Sequence, residues 1–327
     1  MTTLPSRVAV LVPCFNEAAA IATVVRDFRA ALPAAEIYVY DNNSSDDTIA
    51  VAQAAGAHVR SVRHQGKGHV VRRMFADIEA DVYVLVDGDA TYDAASAPRM
   101  IAALQEEHLD MVVARRVDQS AAAYRLGHRT GNRMLTGFLA SVFGRGFDDI
   151  LSGYRIFTRR FVKSFPVLSD GFEIETELSV HALQLSMPVA EIETPYFERP
   201  EGSFSKLNTY RDGFRILGTI LKLFRSEKPL SFFALVSSAL TLLAVLISIP
   251  LLVTYAEEGI VPRLPTAILC VGIVLTAVIS IFAGLILDTV TRGRREARLL
   301  HYLAQPGVPT PAHRALPAGS DLARKAD

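Results

Sequence analysis

Apolar residues recur along the first third of the chain in two alternating rhythms. Short continuous runs at residues 8–12, 37–40, 82–86 and 111–114, with a weaker one at 58–62, are bounded by polar residues, as buried strands are. Between the first two runs Ile21, Val24, Val25, Phe28 and Leu32 fall at helical spacing, and Val70, Val71, Met74 and Ile78 do the same before residue 82. Strand, helix, strand in repetition predicts an α/β fold with a mostly parallel sheet covered on both faces. Ligands bind beyond the carboxyl ends of the strands in such sheets, so the residues just after each run are the candidates for chemistry.

A different pattern begins past residue 205. Residues 206–225 set Leu207, Phe214, Leu217, Leu221 and Phe224 among Arg211, Arg215 and Lys222, which suits an amphipathic helix lying in a membrane interface. Residues 232–255 and 264–287 carry no charge, and each run is long enough as a helix to cross a bilayer core of about 30 Å. Core helices of soluble domains, the alternative, are seldom apolar on every face for this length. The connector holds Glu257, Glu258 and Arg263 and is short, so the two runs form a hairpin. Lys222, Arg225 and Lys228 precede it, and Arg292, Arg294, Arg295 and Arg298 follow. That bias puts both chain ends in the cytoplasm. The predicted organisation is a cytoplasmic α/β domain over 1–204, a juxtamembrane helix over 205–230 and a transmembrane hairpin over 231–290. A tail over 291–327 is basic at first and then, rich in Pro, Ala and Gly, disordered.

Composition agrees with a chain partly in lipid, since 50% of its 327 residues are hydrophobic. Its 34 basic and 34 acidic residues cancel, so no overall field favours nucleic acid. Cys14 and Cys270 provide neither a disulfide framework nor a zinc-type spacing, which suits a reducing compartment. The run at 8–12 is too short for a secretory signal and meets Pro13, Asn16 and Glu17 at once.

The strand-end segments carry the candidate chemistry. VPCFNE follows the first run and DNNSSDDT the second; Asp41 with its amides can hydrogen-bond a base and ribose, or Asp41 to Ser44 can form an ordinary turn with Ser45 or Asp46 capping the next helix. In QGKG, ahead of a helix, glycines would let the backbone approach a phosphate that Lys67 neutralises; the bland alternative is a glycine turn with a solvated lysine. The sharpest signal is YVLVDGDATYD, where an apolar run meets Asp87, Gly88 and Asp89. Two carboxylates bracketing a glycine repel one another unless solvated or joined by a cation. A hard divalent ion, Mg2+ or Mn2+, bridging them to a diphosphate would resolve the repulsion.

These four segments, in this order, resemble the family 2 glycosyltransferases of GT-A fold. ARR (114–116), HRTGNRM (128–134), DDILSGYRIF (148–157), GFEIETEL (171–178) and PYFERPEGSFSK (195–206) resemble the branch that acts on polyprenyl and dolichyl phosphates. The resemblance implies that Pro13, Asn16, Glu17, Asp41 and Asn43 line a nucleotide-sugar pocket with Lys67 nearby. It implies that Asp87 and Asp89 hold the metal, with Gly88 between them. Arg129 would hold the acceptor phosphate, with Arg115, Arg199 and Lys206 as further anionic clamps. Asp149, Glu173 and Glu175 would position sugar hydroxyls, orient the arginines or polarise the acceptor. Glu173 and Glu177 also fall on one helical face, which a solvated surface would explain equally. Several relatives have a glutamine two residues beyond the second aspartate. Here that position is Thr91, a weaker metal ligand, so the preferred ion is open.

The implied reaction moves a hexose or N-acetylhexosamine from a nucleotide sugar, UDP in preference to GDP, to an undecaprenyl or dolichyl phosphate. A lipid phosphate is already anionic near neutral pH, with a second pKa of about 6, so it needs no base. A hydroxyl acceptor would need one, drawn from Asp149, Glu173 or Glu175. A single displacement predicts inversion at the anomeric carbon. Processive polysaccharide synthases use a Q-x-x-R-W grip, and this chain has no tryptophan. A non-catalytic partner of another membrane enzyme is the reading from a different class, opposed by the presence of both aspartates and the arginines. Homo-oligomers remain open, because the spans show no clear small-residue seam.

Overall fold

A computed structural model describes residues 6–118, 136–138, 140–142, 146–171, 173–200, 209–261 and 263–307, with only the backbone described for 118 and 209–216. Contacts divide the chain into one unit of Met1–Asp212 with His301–Asp327 and a second of Gly213–Leu300.

The first unit is built on a seven-stranded sheet. Its strands are β1 (Val8–Cys14), β2 (Glu36–Asp41), β3 (His58–Ser61), β4 (Val82–Leu85), β5 (Met111–Asp118), β6 (Arg155–Thr158) and β7 (Val189–Tyr196), in the order β3-β2-β1-β4-β6-β5-β7. β1 pairs in parallel with β2 and β4, β2 with β3, and β5 with β7, while β6 runs antiparallel to β4 and β5. The expected mostly parallel α/β sheet is therefore present, with one reversed strand that hydrophobic rhythm alone did not signal. Strands β1 and β4 are central, and the side chains from Val10 to Val12 and from Val82 to Val84 are fully buried, which is why they read as unbroken apolar runs. Helices α1 (Ile21–Ala31), α2 (Thr48–Ala54), α3 (Lys67–Asp77) and α4 (Ala97–Glu106) connect the strands, followed by the short α5 (Arg159–Ser164) and then α6 (Ile174–Gln184). On α1 the buried set is Ile21, Val24, Val25 and Phe28, one helical stripe laid on the sheet.

Register fixes what meets at one end of this sheet. Cys14 pairs with Asp41 and Leu11 with Leu85, so the residues after β4 run alongside the last residues of β1. Because β6 is antiparallel and Arg155 pairs with Leu85, the residues just before β6 arrive at the same place. At the opposite end Asp110 is fully buried and accepts from Thr158 Oγ1 at 2.9 Å, Arg160 Nε at 2.5 Å and Tyr302 Oη at 2.6 Å.

The second unit contains most of α7 (Thr209–Glu227), all of α8 (Pro229–Glu258) and most of α9 (Leu264–Leu303). α8 and α9 are long and apolar enough to cross a membrane, and in their most apolar stretches only 6% and 11% of residues are buried. Leu242, Ile279 and Ile286 are more than half exposed, an arrangement that water would penalise and lipid accepts. The chain is thus suited to membrane association. α9 continues as helix past the apolar run at 264–287 to Leu303, through the arginine cluster. Glycine matters where α8 and α9 touch: a Cβ on Gly284 would lie 2.9 Å from Phe233 Cβ. Near the helix ends Thr291 Oγ1 and Arg294 Nη2 both donate to Ser226 O, at 3.1 and 3.0 Å, and Arg298 pairs with Glu227 at 2.9 Å.

Gly284→Leu should therefore destabilise the helix pair by about 1–3 kcal/mol, the usual cost of overpacking. Gly272→Leu, where an added Cβ meets nothing within 4 Å, serves as the control. Thermal unfolding in detergent reads the difference, and equal midpoints for the two variants would contradict this packing.

Candidate active site

The loops after β1 and β2 are laced together by short polar side chains. Asn16 and Asn43 both sit in the left-handed region, at φ 53° and 64°, which asparagine tolerates better than most residues. Asn16 N donates to Ser44 Oγ at 2.8 Å, Glu17 N to Thr48 Oγ1 at 2.9 Å, and Ser45 N to Asn16 Oδ1 at 2.7 Å. Asn42 and Asn43 reach the other way: Asn42 Nδ2 donates to His64 O at 2.7 Å, and Asn43 Nδ2 to Arg63 O at 2.8 Å. Most of DNNSSDDT is therefore turn chemistry. Asp41 is different: it is 1% exposed, and Oδ2 accepts from Ser44 N at 3.1 Å while buried Oδ1 accepts nothing among the described residues. An unspent buried carboxylate oxygen is costly unless a donor arrives. Pro13, half-buried in β1, pairs in register with Tyr40 one residue before Asp41.

The QGKG glycines serve a different purpose from the one their sequence suggests. A Cβ on Gly66 would lie 2.1 Å from Asp170 O, and one on Gly68 would lie 2.0 Å from Ser169 O. The close approach they permit is that of the chain at 168–170, whose Asp170 O accepts from Gly68 N at 3.0 Å. Lys67 is not solvated either. Its side chain is 8% exposed, and Nζ binds Asp87 Oδ1 at 2.5 Å and Glu175 Oε1. Burial alone would pull its pKa down, but the Asp87 and Glu175 carboxylates outweigh burial and hold the ammonium above its ordinary range. Burial pushes Glu175 up, and Lys67 pulls it back.

Beyond β4, Asp87 and Asp89 each meet a cation. Asp89 Oδ2 accepts from Arg199 Nη2 at 2.6 Å, and Arg199 Nη1 is 4.0 Å from Glu17 Oε1. Asp89 Oδ1 accepts from Thr91 Oγ1 at 2.6 Å, so Thr91 holds the aspartate in place. Burial and the neighbouring Asp87 charge push the Asp89 carboxyl up, while Arg199 and Thr91 oppose them. Gly88 is required by contact with β1, because a Cβ there would lie 2.5 Å from Cys14 Sγ.

The structure thus forms two charged trios at the carboxyl end of the sheet, Asp87 with Lys67 and Glu175, and Asp89 with Arg199 and Glu17. Other candidates have different attachments. Asp149 is 5% exposed and held by Arg116 in a fork, Nε to Oδ2 at 2.7 Å and Nη2 to Oδ1 at 2.8 Å. Arg115 binds Glu193 and lies 3.7 Å from Asp148. Glu173 lies beside Gly171 just ahead of α6. Glu177 faces inward, against the solvated-face reading: it is 6% exposed and accepts from Leu168 N at 2.9 Å and Ser169 N at 2.8 Å. Arg129 and Lys206 lie outside the described residues. Arg116, Tyr92, Gly153 and Arg155 were not singled out, although all but Tyr92 lie in ARR and DDILSGYRIF. Gly153 packs on the acid pair itself, since a Cβ there would lie 2.2 Å from Asp87 Oδ2.

Among the described residues no group of three or more metal-ligating side chains occurs. Two hard carboxylates, each already drawing a cationic side chain, fit an ion that takes its remaining ligands from a diphosphate and water, the usual arrangement for Mg2+ at phosphates.

Residues 9–165 match glycosyl transferase family 2. Glycosyltransferase AglJ of Haloferax volcanii is 37% identical over 238 residues, which cover 72% of this chain and 78% of AglJ. The dolichyl-phosphate hexose transferase of the same organism is 26% identical over 221 residues, 67% of this chain and 95% of that protein. A crystal structure of Mycobacterium tuberculosis glucosyl-3-phosphoglycerate synthase with Mn2+, UDP and phosphoglyceric acid superposes with a TM-score of 0.55 at 21% identity, covering 67% of this chain and 78% of that one. The fold is the GT-A fold of such enzymes. The chain belongs to glycosyl transferase family 2 and is a glycosyltransferase.

Arg199 and a metal ion would compete for Asp89. Arg199→Ala should therefore tighten Mn2+ binding to the donor-free protein by about fivefold or more, the low end of ordinary site coupling. Electron paramagnetic resonance titration of free Mn2+ measures it, and unchanged or weaker binding would show that the two cations do not share a place.

Proposed function

We propose that this glycosyltransferase moves a hexose or N-acetylhexosamine, with inversion, from a nucleotide sugar to a polyprenyl phosphate such as undecaprenyl or dolichyl phosphate. UDP is preferred to GDP as the carrier, and Mg2+ or Mn2+ is required. The observation that carries this reading is the alternation of charge at the sheet end, Lys67 on Asp87 and Arg199 on Asp89, in a chain that also has two membrane-length apolar helices. The likeness to a dolichyl-phosphate hexose transferase supports the acceptor class.

Both reactants are anions, and their mutual repulsion is the main obstacle to bringing them in line. A bound divalent ion would supply charge neutralisation at the donor diphosphate, held by Asp87 and Asp89. Lys67 lies against Asp87 and keeps a positive charge beside that diphosphate. Asp41 offers its unspent Oδ1 to a ring N–H of the base, with Pro13, Asn16, Glu17 and Asn43 around the nucleoside. Arg199 leaves Asp89 for a phosphate, for which its planar fork is suited. Arg115, Arg129 and Lys206 complete the grip on the acceptor. Asp149 is committed to Arg116 and Glu175 to Lys67, so neither is a free base. Two of the three candidate bases are thus engaged by cations, which supports an acceptor whose oxygen is already ionised over one with a hydroxyl to deprotonate. In this reading the catalytic domain and both termini are cytoplasmic, α7 lies in the interface, α8 and α9 span the bilayer, and homo-oligomers are compatible with the exposed hairpin.

Purified protein given a panel of UDP- and GDP-sugars with undecaprenyl phosphate should yield a lipid-linked monosaccharide, identified by mass spectrometry. Asp89→Ala should lower the rate by about a hundredfold or more while the protein stays folded, as removal of one preorganised electrostatic group typically does. Chelation should abolish turnover, and readdition of Mn2+ or Mg2+ should restore it. Undiminished product after rigorous chelation would remove the metal role, and product on a soluble hydroxyl acceptor alone would replace the lipid phosphate.

A further inference from the structure

Arg155 is fully buried, and its hydrogen-bond partners among the described residues are all neutral. Its guanidinium donates to Ile150 O at 2.7 Å, Ser152 O at 3.0 Å and Ser179 Oγ at 2.9 Å, with Met111 Sδ 3.8 Å away. A buried cation without a carboxylate in contact is expensive, and an apolar side chain of similar volume would fill the space at lower cost. Burial draws the guanidinium pKa down, and the nearby carboxylates of Glu175, Asp149 and Glu191 support its charge from a distance.

What the fork joins gives it a purpose. The turn at 150–153, which supplies two of its acceptors, is the wall behind Asp87: Gly153 N is fixed on Tyr92 Oη at 2.8 Å, and there is no room for a Cβ between Gly153 and Asp87 Oδ2. Ser179, the third acceptor, sits on α6 and donates in turn to Glu175 O at 3.0 Å, one helical turn back. Arg155 therefore connects the wall behind Asp87 to the helical turn that carries Glu175. Those are the two carboxylates that grip Lys67.

We propose that Arg155 is a positioning residue: through the turn at 150–153 and through Ser179 it sets the span between Asp87 and Glu175, and so seats Lys67 at the donor diphosphate. This role rests on the nucleotide-sugar reading above. Ser179 gives the milder handle, because its replacement cuts the link to α6 and leaves the guanidinium on the turn.

The experiment is a double-mutant cycle on Ser179→Ala, Glu175→Gln and the pair, with Arg155→Lys alongside, read by calorimetric affinity for UDP or GDP with Mn2+, whichever the wild type binds, and by the denaturation midpoint. Ser179→Ala and Arg155→Lys should each weaken nucleotide binding by about threefold to tenfold, the size of one lost buried hydrogen bond. In the Glu175→Gln background Ser179→Ala should weaken binding no further, although its effect on the denaturation midpoint persists. A purely structural role would give additive losses in binding. Additive losses, or unchanged affinity in both single variants, overturn the proposal; if Arg155→Lys does not fold, the Ser179 cycle decides. A wild-type protein that binds neither nucleotide overturns the functional reading, and this role falls with it.

Discussion

Two carboxylates separated by one glycine at the end of a buried strand are the constraint from which the rest of the site follows. Two carboxylates this close repel one another in a crowded, partly desolvated corner unless positive charge stands beside each. The chain supplies it from two distant segments, Lys67 at the start of α3 and Arg199 beyond β7. Each cation in turn has a second carboxylate, Glu175 for Lys67 and Glu17 for Arg199. The result is an alternating array in which every sign is answered by its opposite. In the proposed reaction such an array would exchange partners: a divalent ion would replace a side-chain cation on the aspartates, and phosphates would replace the aspartates on the cations, with little change in net charge.

Backbone proximity makes the array possible. Gly88 lets the acid pair lie on Cys14, Gly153 lets the turn before β6 lie on Asp87, and Gly66 and Gly68 let the chain at 168–170 lie under Lys67. At Gly66, φ of 133° also calls for glycine. Glu177 fixes that underlying chain by taking two of its N–H groups, and α6 then carries Glu175 to Lys67 from the same side. The glycines here mark where segments remote in sequence come within van der Waals distance.

That explains what the sequence could and could not disclose. The central strands were legible because burial on both faces leaves an uninterrupted apolar run, and α1 because burial on one face leaves a 3.6-residue stripe. The apolar helices were legible by length and lack of charge. Asp87 and Asp89 stood out because a charged pair abutting an apolar strand is locally improbable. The reversal of β6 was not legible, since direction is set by a connection and leaves no trace in periodicity. Nor were the partners of the acids. Lys67 could have been a solvated side chain, and only the fold reveals that residues 108 positions apart, Lys67 and Glu175, share an ion pair. Glu177 misled for a related reason: its helical spacing from Glu173 fits a wet face, but its carboxylate is turned inward to unpaired backbone donors, which spacing cannot register.

The distribution of committed and uncommitted acids also bears on which acceptor the site suits. General-base catalysis asks for a carboxylate free to take a proton near neutral pH. Asp149 in the fork of Arg116 and Glu175 against the ammonium of Lys67 would each lose an ion pair in doing so. Asp41 Oδ1, a buried carboxylate oxygen without a hydrogen-bond partner among the described residues, lies at the end of β2, where a base rather than a sugar would meet it. Acids engaged as Asp149 and Glu175 are suit the management of charge already present on a reactant, which fits the proposed lipid phosphate better than a hydroxyl.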